Sequence, residues 1–169
     1  MRTRALLPAA LILAALGVAA PFGPALADCV TSNMQFGMLS GNVNWAWDTY
    51  QYTGSVALHF DCVGPTQAGD CWACVRTLYY KGYIDQNGVQ QFNQLNDVDN
   101  AYPRQNTCQN PWDGTINVTF PTSGTLDLGA TYRVEVDFAY PYQNPTTGAI
   151  YCDGNYTGST YDDFTVPNE

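Results

Sequence analysis

Basic side chains are scarce in this sequence. Of 169 residues only six are Lys or Arg, against 15 Asp or Glu. Two of the six, Arg2 and Arg4, fall in a segment that reads as a removable leader, so the rest of the chain carries four cations and a net charge of −11 with its one histidine, His59, neutral. Phosphate-rich and anionic surfaces are gripped by clustered cations, so neither nucleic acid nor an anionic membrane is an expected partner. The excess of acid serves solubility first. A membrane-spanning run is missing too: residues 5–20 make 16 uncharged, largely apolar positions containing Pro8 and Gly17, short of the roughly 20 a span needs. Helical spacing, internal repeats and a dividing linker are absent. With one histidine and no serine or cysteine placed beside it in a known motif, a nucleophile-His-acid triad has no support.

The leader has the three-part layout of a secretory signal: Arg2 and Arg4, the apolar run, then residues 21–27. The stretch A-L-A-D-C, residues 25–29, allows two readings, cleavage after Ala27 or lipid attachment to Cys29. Ala25 and Ala27 satisfy the small-residue rule for cleavage, whereas Asp28 stands where a lipid-acceptor site has a small neutral residue. The expectation is a signal peptide over 1–27 and one secreted, extracellular domain over 28–169, with no membrane anchor. Its 142 residues suit a single core.

All six cysteines, Cys29, Cys62, Cys71, Cys74, Cys108 and Cys152, follow the expected cut. An even number in an exported chain predicts up to three disulfides, with 15 full pairings open. C-W-A-C at 71–74 has thiol-exchange spacing, but the run after it is strand-like, and a reactive thiolate is favoured at a helix start. His59 and Cys62 extend it to H-x2-C-x8-C-x2-C, a zinc-like spacing. Strand alternation turns His59 away from Cys62, so structural disulfides are the better reading of both.

Tyr, Trp, Val, Thr and Phe are abundant and turn signals arrive every 8 to 15 residues, the pattern of an antiparallel all-β domain. Met34, Phe36 and Met38 alternate in a first expected strand. S-G-N at 40–42 then turns the chain, and Val43, Trp45 and Trp47 alternate in a second, the tryptophans facing a core. After Thr53-Gly54, residues Val56, Leu58, Phe60 and Cys62 take every other position, with Ala57, His59 and Asp61 opposite. A strand from Cys74 reaches D-Q-N-G, where Asn87-Gly88 predicts a tight turn with positive φ at both positions, and 89–92 return. Residues 93–114 predict a long loop, functional or disulfide-pinned, with room for one short strand. Ile116, Val118 and Phe120 alternate next, then Tyr132, Val134, Val136, Phe138 and Tyr140 with Arg133, Glu135 and Asp137 on a solvent face, and 161–166 close the chain.

The stretch T-L-D-L-G-A-T-Y-R-V-E-V-D-F-A, residues 125–139, resembles the lead into the sixth strand of fibronectin type III and other immunoglobulin-like domains through Leu126, Gly129, Tyr132, Val134 and Val136. That likeness implies an antiparallel two-sheet sandwich of about seven to nine strands and a tyrosine corner, the Tyr132 hydroxyl bonding back to the chain. Val134 stands where antibody domains have a cysteine, so their inter-sheet disulfide is not implied. In that frame all six cysteines gather at one end of the molecule.

Four Trp and twelve Tyr follow the leader, and Trp72, Trp112, Tyr140 and Tyr142 fall in or beside the cysteine-rich segments. Such rings, with Asp70, Asp113 and Asp153 near them, suit sugar stacking or peptide grip; they also serve to cover disulfides. Asp97, Asp99 and Asn100 have calcium-ligand chemistry, yet the spacing is not that of a calcium loop and a solvated Asx-rich turn explains it. Asp61, Asp70, Asp113 and Asp153 allow an acid pair of glycosidase type. N-V-T at Asn117 and N-Y-T at Asn155 are glycosylation sequons. Together these features favour a secreted, non-catalytic binding module that needs no cofactor and recognises extracellular carbohydrate or another neutral polymer through residues 62–74, 104–114 and 140–155. A protein-protein or structural accessory domain of the cell surface is the alternative, and a small hydrolase using loop carboxylates stands third.

Overall fold

The computed structural model describes residues 29–46, 48–64, 68–99, 103–143, 150–152 and 155–168. The expected leader, Trp47, Asn100 and Asp153 lie outside the described residues. Within them every regular element is a strand: β1 (Val30–Phe36), β2 (Ser40–Ala46), β3 (Thr49–Val63), β4 (Ala68–Trp72), β5 (Cys74–Ile84), β6 (Gln90–Asp99), β7 (Arg104–Thr107), β8 (Trp112–Phe120), β9 (Thr131–Ala139), β10 (Tyr142–Gln143), β11 (Ile150–Tyr151) and β12 (Gly158–Thr165). One four-stranded sheet is built on β3, flanked by β1 and β2 on one side and by β8 on the other; a second has the order β12-β9-β5-β6. Two ribbons, β4-β7 and β10-β11, complete the fold, and all pairings are antiparallel.

The first sheet departs from the expected turns. S-G-N does not reverse the chain: β1 and β2 run on along the same edge of β3, joined across the break by the Gly37 amide donating to Ala57 O at 2.9 Å. Thr53-Gly54 lies mid-strand, and the reversal falls between Ala46 and Thr49, where Asp48 has φ 59°. Gly41 and Gly54 face each other beneath the Tyr52 ring; a Cβ on either would lie about 2.5 Å from that ring. These glycines make room for a buried aromatic, a need that looks like turn chemistry in a bare sequence. Trp45, expected in the core, is 53% exposed and leans on Tyr50.

Two further expectations fail in the β5-β6 hairpin. Only Gly88 of the Asn87-Gly88 pair has positive φ, at 77°. The turn is longer because the Asp85 carboxylate accepts the amides of Asn87 and Val89 at 2.9 and 2.8 Å, replacing ladder bonds. The segment 93–114 is not one loop. β6 continues to Asp99, β7 follows, and β8 begins at Trp112. As an edge strand β6 pairs only with β5 and leaves Asn93, Gln94, Leu95, Asn96 and Asp97 exposed, so it carries no apolar alternation to detect.

Apolar alternation does locate the core. Val56, Leu58, Phe60 and Cys62 of β3 are buried, as are Tyr132, Val134, Val136 and Phe138 of β9. Three ring stacks, each with centroids 4.5 Å apart, join a residue of one sheet to a residue of the other: Phe36 with Phe138, Tyr52 with Phe164, and Phe120 with Tyr79. Each adds about 1 kcal/mol beyond its area burial. The Asp127 amide donates to the Tyr132 hydroxyl at 3.1 Å, the bond back to the chain that the resemblance implies. The outer face of β9 is less open than its charges suggest. Asp137 is buried because Arg76 of β5 donates to its Oδ2 from Nε and Nη2 at 3.2 and 2.7 Å, while the Tyr156 ring covers that guanidinium at 4.2 Å.

All six cysteines are paired, as Cys29–Cys108, Cys62–Cys71 and Cys74–Cys152. They do gather at one end. Thr31 pairs with Cys62 and bonds Trp72 O at 2.7 Å, Gly69 lies against the Cys29–Cys108 sulfurs, and Cys74 sits opposite Ala139 where β9 ends. Closing segments with separations of 79, 9 and 78 residues removes unfolded-state entropy worth about 4.5 kcal/mol for each long loop and about 2.5 for the short one in the chain-entropy model.

Candidate binding surface

The disulfide end carries most of the expected site residues, but on several faces. Trp112 opens β8 on its inward side, stacked on Phe60 at 5.4 Å and lying over Gly114. Its neighbour Asp113 points the other way, to the outer face of the first sheet. Trp72, half-buried, ends β4 opposite Arg104 of β7, and Asp70 on the same ribbon forms an ion pair with that arginine. Tyr140, Tyr142 and Tyr151 cluster beyond β9, exposed by 43%, 42% and 44%. Tyr140 accepts the Met34 amide at 3.0 Å, and Tyr142 tilts against Tyr151 at 5.1 Å. Asp97 and Asp99 lie in β6, in an extended ladder and not in a turn.

The cysteines cannot act as thiolates or zinc ligands while paired. Cys71 and Cys74 of C-W-A-C belong to different disulfides, and Cys62 is bonded to Cys71. Among the described residues no group of three His, Cys, Asp or Glu is placed to hold a metal ion.

One constellation emerges that spacing alone does not reveal. His59 projects from the outer face of β3, where Asp61 follows two residues on and Asp113 sits directly opposite on β8. Its Nδ1 lies 2.7 Å from Asp113 Oδ1 and its Nε2 lies 3.3 Å from Asp61 Oδ1. The hydrogen bond to Asp113, aided by both carboxylate charges, raises the His59 pKa above its ordinary value. With both ring nitrogens facing carboxylate oxygens, neither is free to take a proton from a nucleophile. A cavity of about 630 Å³ opens beside it, lined by Gln35, Ala57, Asp113 and Thr115 among others. The signal that could have found this trio was the strand pairing of β3 with β8, which a separation of 54 positions between His59 and Asp113 and the four strands β4 to β7 conceal.

The four cations among the described residues are each bonded to an aspartate: Arg76 to Asp137, Lys81 to Asp127, Arg104 to Asp70 and Arg133 to Asp163. Arg133 is also sandwiched between the rings of Phe92 and Tyr161 at 4.3 and 4.1 Å. No family model matches the chain, and no curated protein is similar to it.

Proposed function

We propose that the chain is an exported, non-catalytic binding module on an immunoglobulin-like two-sheet sandwich, released by cleavage after Ala27, that recognises an extracellular carbohydrate or another neutral polymer at its disulfide end. The sandwich is supported by the three inter-sheet ring stacks, by the Asp127–Tyr132 bond, and by a chain that passes between the sheets from β3 to β5, back to β8 and across to β9. Three disulfides are consistent with an extracellular setting.

The observation that carries the function is the tyrosine cluster. Tyr140, Tyr142 and Tyr151 expose their rings on backbone tied down by Cys74–Cys152, and a ring fixed before binding stacks on a sugar with little further loss of entropy. A glycan array with the secreted protein and its Tyr142→Ala variant is the test. Retention of neutral oligosaccharides by wild type, weakened in the variant, is expected; no retention by wild type, or binding indifferent to the change, discards the reading.

A protein-protein accessory role is favoured instead by the tip of the β5-β6 hairpin, which exposes Tyr83, Ile84 and Val89 together. Hydrolysis ranks third, since two of its candidate carboxylates, Asp61 of β3 and Asp113 of β8, stand on strands and both hold His59.

A further inference from the structure

We infer that the outer face of the first sheet is a second binding surface, which takes an extended glycan carrying free amino groups. Going beyond the tyrosine cluster, this surface uses none of its residues. The floor is β3, whose outward side chains Thr53, Ser55 and Ala57 are small. Asn42 rises on the β2 side and Thr115 and Asn117 on the β8 side. A second cavity, of about 610 Å³, is lined by Asn42, Thr53, Ser55 and Asn117; it lies on the same strand as the 630 Å³ cavity beside His59. Thr53 to His59 spans about 20 Å at a strand's rise per residue.

The chemistry of the face selects the occupant. Its backbone groups are already paired on both sides of β3, so it cannot capture a peptide by adding a strand, which is an edge mechanism. What it offers is side-chain amides and hydroxyls, matched to a ligand rich in hydroxyl groups. At the disulfide end of the trough stand two carboxylates and one imidazole, net −1 even with His59 charged. The Asp113 side chain is 72% exposed, and every Lys and Arg among the described residues is bonded to another aspartate. An anionic polymer is repelled there and an ammonium group is attracted to Asp113.

The test is calorimetric titration of the secreted protein at pH 5.5 with glucosamine oligomers, their N-acetylated counterparts of equal length, and a Lys-rich peptide. The amino oligomer is expected to bind about fivefold tighter than the acetylated one, the scale of one exposed ion pair, with the difference shrinking in salt. Asp113→Asn abolishes that preference. Ser55→Tyr, which fills the floor without touching the charges, removes the preference for the amino oligomer as well, and Tyr142→Ala leaves that preference intact. Equal affinity for the two oligomers, tighter binding of the peptide, or loss with Tyr142→Ala and not with Ser55→Tyr overturns the inference. Because the neutral-glycan reading fails or survives on Tyr142→Ala, the two are separable.

Discussion

The Tyr52 hydroxyl donates to Asp162 Oδ2 at 2.9 Å, joining the central strand of one sheet to an edge strand of the other. The same oxygen accepts the Gly41 amide at 3.0 Å. Burial, followed by the Asp162 bond and charge, pushes the phenol pKa far up, so the hydroxyl remains a donor at any ordinary pH. Tyr52→Phe keeps the ring and deletes the bond; a loss of about 1.5 kcal/mol in urea denaturation with the disulfides intact is expected. Gly54→Ala should cost more, because its Cβ would collide with the Tyr52 hydroxyl and ring. No loss in either variant would show that the inter-sheet bond is dispensable.

The only histidine gives one imidazole signal in NMR. Its midpoint should lie above 6.5, and Asp113→Asn should bring it down, since that bond is the largest cause of the shift. A histidine whose pKa is raised on folding contributes stability that is complete below the unfolded pKa and is lost as pH rises through the folded one. Wild type should therefore lose a small increment of stability across that window, and Asp113→Asn should lose less. An unshifted midpoint in wild type contradicts the pairing.

Glu135 titrates high for a carboxyl group, first because it is half-buried and then because Asp137 stands beside it. Its folded pKa exceeds its unfolded one, so its ionisation weakens the fold as pH rises through that raised value. Glu135→Gln should accordingly raise the melting temperature at pH 7 and leave it unchanged at pH 3. A variant that melts lower at pH 7 refutes this.

Disulfide mapping checks the cysteine pairs. Chymotryptic cleavage after Trp72 separates Cys71 from Cys74, and the two should leave in different cross-linked peptides, with Cys62 and Cys152 respectively. A single Cys71–Cys74 loop is the contrary outcome. An intact-mass measurement before reduction reads whether the chain starts at Asp28.

β3 and β9 were legible because apolar alternation is what burial on one side demands, although the charged side of β9 is more covered than its letters imply. So was the gathering of cysteines, once Leu126, Gly129 and Tyr132 suggested the frame. β6 was not, because an edge strand held by backbone bonds needs no apolar period. Nor were the roles of Gly41 and Gly54, since a glycine beneath a ring and a glycine in a turn are the same letter. Of the candidate surface, Tyr140 and Tyr142 were named from composition and position, whereas Tyr151, which meets Tyr142 only through the β10-β11 pairing, was not. The facing of Trp112 inward and Asp113 outward follows only from knowing which side of β8 is covered.

The Cys29–Cys108 bond, described above as an entropic constraint, also routes mechanical load. Tension entering at the start of the domain crosses directly to Cys108, so the loop spanning 79 positions of sequence, with β1 to β7 inside it, bears none. A stretched molecule can yield only by peeling the later strands, and single-molecule extension should lengthen markedly once the bond is reduced.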